Sequence, residues 1–337
     1  MMPLDFVPIW IAVLAIGIFL YVVLDGFDLG IGILSLYARN DDDRHLMIQS
    51  VAPIWDGNET WLVLGGVALL AAFPLAFAVI LPALYFPILA MLVGLVFRGV
   101  AFEYRSAPDV PRRFWDAAFH GGSVLAAFSQ GVMLGSFVEG FRVSGRVFAG
   151  TSFDWVQPFP LVAGVALVFG YGLLGAGWLV LKAQGELRDW ARRQGRRMLY
   201  AVVAFIVLVT ILMLLWHPEV SQRWLSWPNI AFLWPVPAAT ALFALWAWRA
   251  FEHGGDAQPF IATLLMFAAS YLGLAISFWP MIVPYQISLW DAAASPNSQA
   301  FLLVGTLLLL PIILTYSGWS YWVFRGKVRA DIGYGAH

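Results

Sequence analysis

Nine long apolar runs divide this chain, and they constrain its fold more than any other feature. Each run holds about 20 residues, the length of an α-helix that crosses a lipid bilayer. The runs cover about residues 8–36, 53–73, 76–98, 114–138, 157–181, 198–216, 228–249, 259–282 and 299–323. They are continuously apolar rather than alternating, which favours helices over a transmembrane β-barrel. We therefore predict an all-α integral membrane protein with about nine transmembrane helices.

Composition supports this prediction and excludes several classes of protein. The 337 residues are 61% hydrophobic and 12% charged, whereas soluble domains carry about 25% charged residues. The net charge of −1 leaves no basic footprint for nucleic acid. Because there is no cysteine, disulfides, thiolate metal sites and covalently attached c-type haem are excluded. Since the connections are short, we expect one membrane-embedded helical domain over residues 1–337, with no extramembrane domain.

The distribution of basic residues predicts how the helices are oriented in the membrane. Of the 19 Lys and Arg residues, all but Arg142, Arg146 and Arg223 fall on one side of the predicted spans. Such an excess marks the cytoplasmic side, so the N-terminus is expected to be periplasmic and the C-terminus cytoplasmic. No Lys or Arg precedes the first run, which favours a retained span over a cleaved signal peptide.

Acidic residues inside the predicted spans are the informative exceptions to the apolar pattern. Asp25 and Asp28 lie in the first run, and Asp56 and Glu59 lie in the second. Each pair is three residues apart, so its members share one helix face. A charged side chain at the centre of a membrane helix costs roughly 2.5–3.5 kcal/mol. We therefore expect all four to face the bundle interior or a watery cavity, in the cytoplasmic half.

Two interpretations of these carboxylates remain open. Packed near one another, some would hold protons at neutral pH, which suits a path that carries protons inward from the cytoplasm. Alternatively, they pair with Arg98 or with backbone amides and only fix the helix packing. Glu103 could admit protons at the cytoplasmic end of the third span, although a pairing with Arg98 or Arg105 is favoured there.

His120 is the only histidine that lies well inside a predicted span. A haem in a helical bundle usually takes a histidine together with a second histidine or a methionine. Met133 follows on the same predicted helix about 20 Å away along the axis, too far to share an iron with His120. We therefore favour a hydrogen-bonded interior histidine and expect this chain to bind no haem and no metal by itself.

Two motifs in these spans resemble a known family. The sequences DGFDLGIG at residues 25–32 and WDGNETWL at residues 55–62 are similar to subunit II of the cytochrome bd-type ubiquinol or menaquinol oxidases, including the cyanide-insensitive branch. Shorter matching stretches are FRG at 97–99, EYR at 103–105, LWDA at 289–292 and PIILTY at 311–316.

The resemblance implies a bacterial inner-membrane heterodimer that works in aerobic respiration. Its haem-bearing subunit I, with haems b and d or b only, would oxidise quinol and reduce oxygen to water. Small single-span subunits accompany some members. Subunit II would carry neither haem nor redox catalytic residues, and would support assembly and a cytoplasm-facing proton path. Whether this chain also holds a structural quinone or a lipid is left open.

The resemblance also assigns roles to individual residues. It places Asp56 on the proton path first and Asp25 next, with Asp28 and Glu59 beside them. Some relatives have Gln where this chain has Glu59, so the role of Glu59 is open. The supporting positions around these acids are Trp55, Asn58, Arg98 and Glu103.

Two other functions compete with this interpretation. An ion-coupled secondary transporter would use the same intramembrane carboxylates as coupling sites, although no internal repeat is evident in the sequence. A purely structural membrane scaffold would use them only to lock the helices together.

Overall fold

The computed structural model describes residues 5–105 and 110–328, and most of them are helical. The predicted periplasmic position of residues 1–4 and the predicted cytoplasmic position of Arg329 concern residues outside this range. The helices are α1 Val7–Ser35, α2 Asp41–Gln49, α3 Trp55–Ala72, α4 Pro74–Ala83, α5 Tyr85–Tyr104, α6 Arg112–Glu139, α7 Pro158–Lys182, α8 Gly185–Trp216, α9 Pro218–Leu225, α10 Asn229–Leu233, α11 Pro235–His253, α12 Gln258–Phe278, α13 Leu289–Ala292 and α14 Pro296–Val323. Two antiparallel hairpins join β1 Val143–Ser144 to β2 Val147–Phe148, and β3 Met281–Val283 to β4 Ile287–Ser288.

Eight helical segments in the described part of the chain are long and apolar enough to cross a membrane. Seven of them are the single helices α1, α5, α6, α7, α8, α12 and α14, and the eighth is the segment formed by α10 and α11. The predicted class of helical membrane protein is therefore confirmed. The second predicted span corresponds to α3, an 18-residue helix that is not among the eight and opens with Asp56, Asn58 and Glu59. Its role as a ninth span stays a prediction.

The third predicted span, residues 76–98, is wrong in its boundaries. The structure divides this stretch into α4 and α5, with a break at Leu84. Pro87 explains the break, because a proline ring clashes with the carbonyl four residues earlier and cannot donate the helical hydrogen bond. In the first turn of a new helix that missing donor costs nothing. The spanning helix is α5, about 30 Å long, and it carries Arg98 and Glu103 inside the helix.

The helix α8 begins at Gly185, 13 residues before the predicted start of its span. Arginines that the sequence places in a loop therefore lie on its first turns. Arg192 donates hydrogen bonds to the carbonyl oxygens of Ala250 and Gly254 at 2.9 and 2.8 Å. These carbonyls lie at the C-terminal end of α11, where the helix dipole favours a cation. The basic stretch thus ties two neighbouring helix ends together.

The helix α1 lies at the centre of the bundle and packs against α3, α6 and α7. Every described residue from Asp25 to Ser35 on this helix is buried. Gly30 and Gly175 let α1 and α7 approach backbone to backbone, because a Cβ on Gly175 would lie 2.5 Å from the carbonyl carbon of Gly30. The motif residue Phe27 is fully buried and stacks on Trp178 with ring centroids 4.2 Å apart.

The bundle end at which α1 ends and α3 begins is called the basic end here, because arginines gather there. Arg39 Nε contacts Asp43 Oδ2 at 2.7 Å, and Arg105 Nε contacts Asp116 Oδ1 at 2.6 Å. This end corresponds to the predicted cytoplasmic side. The short connection through α2 brings the ends of α1 and α3 together, which makes the two helices antiparallel neighbours.

The last helix, α14, buries little of its surface against the rest of the chain and in this sense is loosely held. Only Gln299 among its residues is buried, although the helix has a mean hydropathy of 2.2 over its most apolar window. It packs mainly against α3, and large side chains such as Phe301, Leu307 and Trp319 are exposed.

Candidate functional site

The two acids of the first motif lie in the interior of the bundle, as predicted. Asp25 is 1% exposed and Asp28 is fully buried. Asp25 stands ten residues before the end of α1, about 15 Å from the basic end along the helix axis. The glycine between them, Gly26, faces α7, because a Cβ there would lie 2.8 Å from the ring of Tyr171.

The two acids of the second motif lie nearer the surface, in the first two turns of α3. The side chain of Glu59 is 27% exposed, and Asp56 is exposed. Asp56 therefore does not face the interior of this bundle, and the alternative expectation, that it faces a watery cavity, stays a prediction. Asp56 lies in the first turn of α3, beside the basic end. The exposure of the four acids thus decreases from Asp56 through Glu59 to Asp25 and Asp28.

Arg98 joins three helices at this point. Its side chain is completely buried, and its Nη1 donates a hydrogen bond to Oδ1 of Asp25 at 2.6 Å. Its Nη2 donates to Oε1 of Glu59. The arginine of α5 therefore holds one carboxylate of α1 and one of α3 on the same guanidinium group, the geometry for which arginine is well suited.

Asp28 belongs to a second, linked set of contacts. Its Oδ2 accepts a hydrogen bond from Nδ2 of Asn58 at 2.6 Å. The Tyr321 hydroxyl in turn donates to Oδ1 of Asn58 at 2.7 Å. Asn58 thus links α1, α3 and the loosely held α14, which accounts for an amide at this position of the second motif.

The carboxylates of Asp25, Asp28 and Glu59 form a cluster around Arg98, called the carboxylate cluster here. Trp55 covers the side of this cluster that faces the basic end. Its ring stacks on Phe102 with centroids 5.0 Å apart, and the guanidinium carbon of Arg98 lies 5.8 Å from its ring centroid. This distance is within the range at which an arginine is attracted to an indole face. The motif tryptophan therefore both shields Arg98 and contributes to holding it.

Glu103 does not make the contact favoured from the sequence. It is exposed on α5, while Arg98 pairs with Asp25 and Glu59 and Arg105 pairs with Asp116. The predicted pairing of Glu103 with either arginine is therefore wrong. The reason is helical periodicity, since five residues separate Arg98 from Glu103 and place them on different faces of α5.

Two histidines lie at or near the basic end. Burial lowers the pKa of His45 on α2, and the positive charge of Arg105 adds to this effect. The ring Nδ1 of His45 accepts a hydrogen bond from Nη1 of Arg105 at 3.2 Å, which a neutral ring permits. His120 Nδ1 lies 3.1 Å from the carbonyl oxygen of Gly32, the hydrogen-bonded arrangement favoured from the sequence.

Three further polar residues escaped the sequence analysis. Tyr21, Gln130 and Tyr171 are buried where α1, α6 and α7 meet, next to Asp25. Gln130 Nε2 donates to the Tyr21 hydroxyl at 2.8 Å, and the Tyr171 hydroxyl donates to Oε1 of Gln130 at 2.6 Å. The signal that could have found them is Gln130 itself, a neutral polar side chain in the middle of an apolar span.

The charges of the cluster do not balance by themselves. One guanidinium group, on Arg98, faces the carboxylates of Asp25, Asp28 and Glu59. Within the described part of the chain, Oδ2 of Asp25 and Oδ1 of Asp28 are buried and lack a hydrogen-bond partner. A buried carboxylate oxygen without a hydrogen-bond partner is costly while the group is charged. Among the described residues, no group of three or more His, Asp or Glu side chains has the arrangement of a metal site.

Comparison with known proteins identifies the family. The family model described as cytochrome bd terminal oxidase subunit II matches residues 7–324. The chain belongs to this family. The match includes both motifs and every residue of the carboxylate cluster.

Curated relatives agree with this assignment. The chain is 30% identical to cytochrome bd-I ubiquinol oxidase subunit 2 of Escherichia coli (strain K12). The alignment is 365 residues long and covers 97% of this chain and 96% of that protein. It is 28% identical to cytochrome bd ubiquinol oxidase subunit 2 of Bacillus subtilis (strain 168), covering 95% of both chains. As subunit II, the chain is part of an oxidoreductase complex that carries haems, it has subunit I as its partner, and it is a protein of the bacterial inner membrane.

A solved structure has the same fold. A chain in the structure of bd oxidase from Geobacillus thermodenitrificans matches with a TM-score of 0.75 and 19% sequence identity, over 95% of this chain and 99% of that one. None of these similarities favours a secondary transporter. They place the buried cluster in a subunit of a terminal oxidase.

Proposed function

We propose that this chain supports the assembly of a bd-type quinol oxidase and carries protons from the basic end toward the site of oxygen reduction on subunit I. The reaction of the complex would be the reduction of oxygen to water by quinol in aerobic respiration. The observation that carries the proposal is the pairing of the Arg98 guanidinium group with both Asp25 and Glu59.

The graded exposure of the acids supports a path with a direction. Asp56 is exposed in the first turn of α3, and Glu59 follows one turn deeper with 27% of its side chain exposed. Glu59 and Asp25 share Arg98, and Asp25 is 1% exposed. A proton that enters at Asp56 would thus move through Glu59 to Asp25, with Asp28 one turn away on α1.

Charge counting supports the same proposal. A buried charge without a counter-charge costs several kcal/mol, and Arg98 compensates only one of the carboxylates around it. A proton on one of the others compensates the remaining charge. Because two carboxylates contact the same guanidinium, this proton can move from one to the other while the total charge of the cluster stays constant.

The unburied helix α14 supports the assembly role. An apolar helix that leaves nearly all of its side chains exposed in its own chain is covered in the membrane by lipid or by another subunit. Asp56 and the exposed surface of α14 lie on neighbouring elements, since a Cβ on Gly57 would lie 3.7 Å from the Tyr316 ring. We propose that the haem-bearing subunit I, with haems b and d or b only, covers this surface. Small single-span subunits and lipid would complete the complex.

Co-purification tests the assembly proposal. The affinity-tagged chain, gently extracted with its natural partners, is expected to bring down a second polypeptide of similar size. The reduced-minus-oxidised spectrum is expected to show haem bands, and quinol is expected to drive oxygen uptake. A colourless chain that is stable by itself would contradict the proposal.

The exposed carboxylate tests the proton path. Asp56→Asn is expected to leave haem content and subunit ratio unchanged while it lowers quinol-dependent oxygen uptake. The matched control is Asp42→Asn, which removes an exposed carboxylate of α2 at the same end of the bundle and is expected to leave oxygen uptake unchanged. Loss of assembly with Asp56→Asn would favour the scaffold interpretation, and unchanged oxygen uptake would remove Asp56 from the path.

A further inference from the structure

The carboxylate cluster continues into a chain of neutral polar side chains that the proposed path does not use. Tyr21 is 6% exposed, Gln130 is 8% exposed and Tyr171 is fully buried. They come from α1, α6 and α7, so three helices contribute one member each. Tyr21 stands one helical turn before Asp25 on α1, and its hydroxyl lies within electrostatic reach of that carboxylate.

The hydrogen bonds that join these three side chains have a defined direction. The Tyr171 hydroxyl donates to Oε1 of Gln130, and Nε2 of Gln130 donates to the Tyr21 oxygen. The proton of the Tyr21 hydroxyl is then the one donor left over at this end of the chain. Asp25, the carboxylate that neighbours the Tyr21 hydroxyl, offers a buried Oδ2 that lacks a partner among the described residues. Each donor in the series therefore points toward Asp25, an order that stabilises its ionised form.

The opposite order suits the protonated form. If Oδ2 of Asp25 carries a proton, it becomes a donor to the Tyr21 oxygen. The Tyr21 hydroxyl then has to donate to Oε1 of Gln130, and Nε2 of Gln130 to the Tyr171 oxygen. A half-turn of the Gln130 amide group converts one order into the other, because its oxygen and nitrogen occupy equivalent places. No proton leaves the three residues in this change.

We infer that Tyr21, Gln130 and Tyr171 are positioning residues that set how firmly Asp25 holds its proton, through a hydrogen-bonded chain that reverses its order when Asp25 is protonated. This inference rests on the proposed proton path, in which Asp25 takes up and releases protons. It assigns a function to the polar residues of α6 and α7, which contact none of the other carboxylates in the motifs.

Few titratable or charged groups lie close enough to Asp25 to affect how firmly it binds a proton. The titratable and charged groups that face it are Tyr21 and Asp28 on α1, Glu59 on α3, Arg98 on α5, Tyr171 on α7 and Tyr321 on α14. Of these, Tyr21 and Tyr171 form the chain with Gln130. The two tyrosines can be changed to phenylalanine without disturbing any other contact of Asp25.

The packing around the chain also favours a specific arrangement. A Cβ at Gly26 would lie 2.8 Å from the Tyr171 ring, so the motif glycine next to Asp25 leaves the room that the tyrosine occupies. Three buried polar side chains are costly unless they satisfy one another. An apolar filling of the same space would serve packing alone.

The test compares variants of the whole oxidase, purified with its partner subunit. Tyr21→Phe removes the donor to Asp25, Gln130→Leu removes the link, and Tyr171→Phe removes the far end. The matched control is Tyr271→Phe on α12, whose hydroxyl donates to the carbonyl oxygen of Ala15 at 3.0 Å and contacts no carboxylate. Two properties are measured: the pH profile of quinol-dependent oxygen uptake, and the infrared band of the Asp25 carboxyl, identified by its loss in Asp25→Asn.

We expect Tyr21→Phe to move the pH profile toward higher pH by about one unit, the size expected for one hydrogen bond to a charged group. Gln130→Leu and Tyr171→Phe should move it in the same direction by less. The double variant Tyr21→Phe with Gln130→Leu should equal Tyr21→Phe alone, because the link has no effect once the donor is gone. The control should leave both the profile and the band unchanged.

An unchanged pH profile and an unchanged infrared band in Tyr21→Phe, with normal haem content, would overturn the inference. Equal and additive effects of the three variants would do so too, because independent packing defects add. If Tyr21→Phe does not assemble, Tyr171→Phe provides the same test from the far end. If Asp25→Asn keeps full turnover, the proton path fails, yet the infrared band still shows whether the chain acts on Asp25.

Discussion

The buried arginine gives the sharpest prediction about stability. Arg98→Gln removes the cation that contacts both Asp25 and Glu59. Removing one partner of a buried ion pair costs about 3–5 kcal/mol, and this range applies to Asp25, which is 1% exposed. Glu59 is 27% exposed, so water compensates most of the loss of its contact with Arg98. The loss of this contact therefore adds at most about 1 kcal/mol to the cost.

Thermal unfolding of the purified oxidase, followed by loss of subunit association, measures this cost. We expect Arg98→Gln to unfold well below the wild type, and Arg98→Gln combined with Asp25→Asn to recover a large part of the loss, because no unpaired charge remains at Asp25. The control is Arg142→Gln, which breaks the three hydrogen bonds from an exposed arginine to the carboxylate of Asp154. If Arg98→Gln is as stable as this control, the assignment of Arg98 as the counter-charge of the cluster is refuted.

Three more predictions concern other contacts. A hydrogen bond from Lys327 lowers the pKa of Asp256, so this pair stabilises the fold above the usual Asp range and loses its effect as pH falls through the lowered value. The difference in melting temperature between the wild type and Lys327→Gln should therefore shrink in acid, and a constant difference would contradict the assignment. Gly30→Leu should prevent assembly, because its side chain meets the backbone of α7, and normal subunit yield would disprove that close approach. Asn58→Ala should cost about 1–3 kcal/mol by leaving Asp28 without its donor, and thermal unfolding that matches the wild type would argue against this contact.

Apolar runs predict the class of this fold well, since crossing a bilayer imposes length and hydropathy on every helix. They predict less well where helices break or extend. Pro87 ends the continuity of a run whose hydropathy does not change, and the arginines of α8 lie on a helix although they are not apolar. In both cases hydrogen bonding of the backbone decides the boundary, which hydropathy does not measure.

The candidate site was predictable in part for a similar reason. A single acidic residue in an apolar run can be recognised without knowing how the helices pack, so Asp25 and Asp28 are found from the sequence. Which of them meets Arg98 depends on how α1, α3 and α5 are packed, and residue spacing along one helix holds no information about that. The preference for a contact of Glu103 with Arg98 failed for a different reason, because their spacing places them on different faces of α5. Tyr21 and Tyr171 are invisible to such reasoning, because tyrosines are common in apolar spans.

The passage of protons through the buried carboxylates is the central step of the proposed function. The most direct measurement is proton uptake from the medium when the fully reduced oxidase meets oxygen, followed with a pH-sensitive dye in the wild type, Asp25→Asn and the control Asp42→Asn. The proposed proton path predicts that Asp25→Asn slows uptake by about 10²-fold, the lower end of what a positioned acid–base group contributes, while the haem spectrum and the subunit ratio stay normal. Equal uptake rates in all three would contradict it and leave the carboxylates a role in packing alone.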